Sequence, residues 1–223
     1  AELAELDLVK KETRSITRNG RMYAPVFQGD QILGLQTYHA SSRLVEFDKN
    51  EQVSRILVNL GEHQIIEVAS KPEDANRLAV IINKRGMQGL WLADRATIQK
   101  DLEGTPAVVF SEGSIYDISW HPTEDKILLT SDHTGAMNIY EYDLAMDSLR
   151  QLTNGTFNAF EAEYSPDGER IAFILQEENE QLPAVLDEQQ YHDAEIPEEL
   201  WKPNANKAAF MKRPEMGHAI DTE

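Results

Sequence analysis

Short runs of alternating apolar and polar residues, cut by Pro, Asp and Gly, organise the middle of this chain. Residues 114–120, Ser-Ile-Tyr-Asp-Ile-Ser-Trp, alternate with the period of a half-buried strand. His121-Pro122-Thr123-Glu124-Asp125 predicts a turn, because proline presets φ and removes a donor that a strand needs. Residues 127–131 read as a central strand, apolar on both faces. Asp132-His133-Thr134-Gly135 predicts the next turn, residues 137–143 an aromatic-rich third strand, and residues 149–153 a polar outer fourth. Four antiparallel strands joined by short hairpins result.

The same phrase recurs. Ala162-Glu163-Tyr164-Ser165-Pro166-Asp167-Gly168 leads into the apolar run 170–174, and fainter copies centre on Gly29 and Pro72. Positions 29, 72, 122 and 166 lie about 43, 50 and 44 residues apart, a period that suits β-propeller blades. The pattern predicts an all-β chain, with blades of four antiparallel strands over about residues 20–58, 62–110 and 113–153 and a partial fourth over 156–187. Asp48, Asp94 and Asp143 close the third strand of successive units. Pro183 marks residues 182–187 as an edge. Residues 5–17 parallel 142–153, and residues 1–17 are expected to form the outer strand of a blade. They either complete the fourth blade, closing a ring, or belong to a larger propeller; four blades is the bottom of the usual range, which favours the second.

Trp120-His121-Pro122, residues 164–173, Ser131-Asp132 with Gly135, Asn138-Ile139-Tyr140 and Leu152-Thr153 resemble the repeats of TolB-type (WD-like) β-propellers. The resemblance spans roughly residues 5–187, firm in units three and four and weaker in one and two, where Gly29 and Ser70 depart from the pattern. It implies a propeller of a bacterial envelope protein, periplasmic or outer-membrane-associated, that binds a protein or peptide. A second implication is the substrate-gating propeller of a prolyl-oligopeptidase-like or tricorn-like serine peptidase, whose Ser-His-Asp set would sit in a separate domain. Fold repeats of this kind specify architecture far better than activity.

Charge narrows the partners. The 223 residues carry 39 acidic and 21 basic side chains, a formal charge of −18. Such a field repels phosphate backbones and anionic membrane surfaces, so no nucleic-acid partner is expected. No apolar run approaches a membrane span, so direct membrane insertion is not expected either. Cysteine is absent, which removes disulfides, thiolate nucleophiles and cysteine-based metal sites.

No G-x-S-x-G elbow, H-E-x-x-H, Walker loop or EF-hand loop occurs. The six histidines are dispersed, and His121 and His133 fall in turns. Asp132 and Asp167 obey the repeat and are therefore expected to shape turns rather than catalyse. Asn154-Gly155-Thr156 fits a glycosylation pattern but also a tight turn. No catalytic set, cofactor or metal is assigned. Partner-contact candidates are Phe157 and Phe160, apolar residues of the expected loop 156–160 at one face, and Trp201. Trp201 stands in the acidic, Pro-containing tail 188–223, expected to pack back on the propeller or to lead into a fused downstream domain.

Overall fold

The structure is a computed structural model describing residues 2–17, 20–28, 31–39, 41–48 and 54–203. The expected turn at Gly29-Asp30, the start of a strand at Val53, a helical turn at 205–211 and His218 lie outside the described residues.

A hairpin opens the chain, β1 (Ala4–Asp7) with β2 (Glu12–Ser15). Four antiparallel sheets follow in sequence order. The first is β3 (Met22–Gln28), β4 (Gln31–Tyr38), β5 (Ser41–Asp48) and β6 (Ser54–Asn59). The second has β7 (Gln64–Lys71), β8 (Asp74–Lys84) and β9 (Met87–Asp94), followed by the short helix α1 (Ile98–Glu103). The third is β10 (Ile115–Trp120), β11 (Lys126–Ser131), β12 (Asn138–Asp143) and β13 (Ser148–Gln151). The fourth is β14 (Asn158–Tyr164), β15 (Arg170–Glu177) and β16 (Glu180–Asp187). The tail adds β17 (Ala194–Glu195), which pairs with β13 as a fifth strand, and the turn α2 (Glu198–Trp201).

Each core lies between consecutive sheets, which is why the central strands are apolar on both faces. Leu33, Leu44, Val80 and Trp91 join the first sheet to the second. Ile81, Trp120, Leu129 and Tyr140 join the second to the third. Leu128, Ile139, Ile171 and Phe173 join the third to the fourth. The N-terminal hairpin belongs with the first sheet: Leu3 and Ile16 pack with Met22, Ile32 and Phe47. Its turn repeats that of the third sheet, since Asp7 accepts the N–H groups of Val9 and Lys10 as Asp143 accepts those of Ala145 and Met146. Among the described residues, the hairpin shares no core with the fourth sheet.

The second sheet ends differently from the sequence pattern. Residues 107–110, which read as its fourth strand, make a single bridge, Leu90 to Val108. The helix α1 takes the rim position, and both Ala107 and Val108 donate to the Leu90 carbonyl. The chain then turns away, so the N–H groups of Val109 and Ser111 bond instead to Trp201 and Leu200.

Candidate functional site

First strands of neighbouring sheets lie side by side, β3 against β7, β7 against β10 and β10 against β14, and form one inner wall. A cavity of about 440 Å³ opens on that wall, lined among others by Pro25, Phe27, Glu67, Trp120 and Glu163. Phe27 is 64% exposed there, an apolar side chain without cover. Trp120 forms the firm part of the lining. Its indole N–H donates to the Ala69 carbonyl at 3.2 Å. The Lys71 and Arg77 cations lie 5.7 and 5.6 Å from its ring. Both cations pair with Asp125, whose carboxyl the Lys71 hydrogen bond holds below the ordinary aspartate range.

The three residues expected to touch a partner do not converge. Phe157 is exposed in the connection before β14. Phe160 is no loop residue: it lies within β14 opposite Ile174 and is half-buried. Trp201 is 1% exposed and enclosed by the core of the second and third sheets. Its indole N–H donates to the Ile196 carbonyl at 3.0 Å, and its ring meets Tyr142 edge-on at 5.6 Å. The missing fourth strand of the second sheet leaves a gap that this side chain fills.

The tempting polar residues serve turns. His121 Nδ1 accepts the N–H groups of Thr123 and Glu124 at 3.2 and 2.9 Å. His133 stacks on Phe110 at 4.8 Å. Asp132 accepts from the Ser114 N–H and the Tyr116 hydroxyl, and Asp167 from the Glu169 N–H and the Ser165 hydroxyl. Among the described residues, no group of three His, Asp or Glu is placed to hold a metal ion.

Sequence reasoning missed two buried glutamates. Glu46 accepts from Arg55 of β6 and from Arg95 of the second sheet. Glu141 accepts from Arg150 of β13 and, at 2.6 Å, from the Tyr164 hydroxyl of the fourth sheet. Burial and this carboxylate push the Tyr164 hydroxyl far above its ordinary value. The signal was present: each glutamate stands two residues before the aspartate that closes its strand, an acid inside an apolar run.

No family model matches the sequence. Over 107 residues the chain is 36% identical to the Tol-Pal system protein TolB of Anaeromyxobacter sp. (strain K). That match takes in 47% of this chain and 23% of the relative, so the chain spans under a quarter of the curated relatives it matches. TolB from Acinetobacter baumannii superposes with a TM-score of 0.69 at 16% identity, over 87% of this chain and 48% of that one. The fold is a TolB-like β-propeller. The four sheets are then its blades, and β3, β7, β10 and β14 their inner strands. A puromycin hydrolase also superposes, with a TM-score of 0.62 at 15% identity over 83% of this chain and 31% of that one, a likeness of fold alone.

Proposed function

We propose that this chain is a non-catalytic scaffold of TolB-like propeller type that binds a protein or peptide in the bacterial periplasm or at the outer membrane. The similarity to a Tol-Pal system protein over 107 residues carries the reading. The side chains support it. Described histidines and aspartates of the turns are engaged in shaping those turns, while Phe27 and Phe157 stand exposed near the inner wall and the β14 connection. Aromatic anchors of this kind dominate protein interfaces when a partner covers them. In this reading Phe157 and Phe160 contact the partner and Trp201 supports the rim from inside. No helix among the described residues is long and apolar enough to cross a membrane.

The test uses the full chain as bait against a cell-envelope extract of the source organism, with a peptidase assay on the same captured material. A defined envelope protein should bind the native chain and be lost with the double variant Phe157→Ala, Phe160→Ala. Capture that is indifferent to those substitutions removes the two residues from the site. A peptidase captured with the native chain would instead favour the reading as a substrate-gating propeller.

A further inference from the structure

The third strand of each blade ends on an aspartate, Asp48, Asp94, Asp143 or Asp187. The residue two places earlier matches what lies on the outer side of that strand. In blades one and three it is a glutamate paired with an arginine of the fourth strand, Glu46 with Arg55 and Glu141 with Arg150. In blade two it is Leu92, and helix α1, the Val108 bridge and Trp201 stand where a fourth strand would. In blade four it is Val185, which is 58% exposed. Among the described residues, nothing pairs with the outer side of β16.

That edge is able to pair. In blade three the fourth strand covers Tyr140–Asp143, and the same positions of β16, counted back from the closing aspartate, are residues 184–187. Pro183, which has no N–H to donate, stands just outside that span. The chain also shows how such an edge is filled. The outer side of β13 carries Arg150 and takes residues 193–195 of the tail. Asp193 accepts from the Arg150 guanidinium at 2.9 Å, and Glu195 stands opposite Arg150. A cationic edge there receives an acidic strand.

The charge on β16 is the reverse. Glu177 and Glu178 stand in the hairpin at one end, Glu180 starts the strand, and Asp187 and Glu188 flank the other end, all exposed. Two β16 edges laid side by side would oppose these carboxylates, which argues against a second copy of the chain. An arginine opposite Val185 would meet an aliphatic side chain, with no glutamate to receive it. We infer that the open edge of β16 takes a short extended segment of another protein, apolar where it meets Val185 and carrying lysine or arginine at its ends. Backbone bonds to residues 184–187 supply the pairing, while Val185 and the flanking acids supply the selectivity. The inference goes beyond the scaffold reading and involves neither Phe157 nor Phe160, so each can fail alone.

The experiment selects displayed random peptides of about eight residues on the full native chain and on Val185→Glu, then maps the enriched peptides by amide NMR shifts. Val185 is exposed, so the two chains should melt at the same temperature. The native chain should enrich peptides with an apolar centre and Lys or Arg at the ends, and these should shift the amides of β16. They should bind Val185→Glu at least about tenfold more weakly, because the new carboxylate would be covered without a partner. That variant should instead enrich peptides with a central arginine. Enrichment of the same peptides by both chains, shifts confined to the cavity beside Phe27, or no enrichment at all overturns the inference. Slow exchange of every β16 amide in the free native chain also overturns it, by showing the edge already covered by the chain's own C-terminal residues or by a second copy. The native selection and the exchange measurement decide the matter if the variant does not fold.

Discussion

Contacts between successive blades are built in two ways. Where blade one meets two, and three meets four, a glutamate on the third strand is buried and shared across the boundary, Glu46 with Arg95 and Glu141 with Tyr164. Where blade two meets three, the corresponding third-strand position is the apolar Leu92 and Trp201 from the tail closes the rim, while Lys71 and Arg77 cross to Asp125 elsewhere on the boundary. The difference follows from the fourth strand. Each buried glutamate takes a cation from that strand, Arg55 on β6 or Arg150 on β13. Blade two has no fourth strand to carry one, and an unpaired buried carboxylate is costly. Leucine and an indole fill the same space without a charge to compensate.

Breaking the apolar contact should therefore cost most. Trp201→Ala removes a large enclosed side chain from a site that cannot collapse, and is expected to destabilise the fold by about 3–5 kcal/mol in denaturant unfolding. The charged contact is next. Arg95→Ala leaves Glu46 buried with half its partners gone and should cost about 2–3 kcal/mol. Arg55 has 68% of its side chain exposed, so Arg55→Ala should cost under about 1 kcal/mol, and comparing the two isolates the value of burial.

Further out, the turn of blade four packs on the turn of blade three. Gly168 has φ +77°, and an added Cβ would stand 2.5 Å from His121 Nε2. Gly168→Ala should cost about 1–2 kcal/mol, from both the left-handed backbone and the crowding. The smallest effect expected is that of acid on the tail. The Lys202 hydrogen bond holds the Asp147 carboxyl below its ordinary value of 3.8. That support is present above 3.8 and is lost as pH falls through the lowered value. Tryptophan fluorescence should thus report loosening of the tail only in strong acid.

The propeller was legible because its signal is written in turns. Pro122, Asp143, Gly168 and their counterparts have fixed backbone duties, and those duties recur at the spacing of the blade. The fourth strand of blade two was misread because residues 107–110 are as apolar as a strand should be. They are apolar for another reason: Val108, Val109 and Phe110 are buried beneath a segment that arrives from about ninety residues away. Trp201 was conspicuous, yet periodicity could not tell a plug from a hook, since one turn of chain has no period. The inner-wall acids escaped for a similar reason. A bulge breaks the alternation that strand reading relies on, and Glu67, Asp117 and Glu161 each stand at such a break.

Hydrogen exchange at two amides tests most directly whether the tail is part of the propeller. The N–H groups of Val109 and Ser111 bond to the carbonyls of Trp201 and Leu200 at 2.8 and 2.9 Å. Both should exchange slowly in the full chain, and should lose protection in Trp201→Ala while amides of β11 keep theirs. Rapid exchange at both positions in the native chain would show that residues 200–201 do not close blade two, and would contradict the account of its rim.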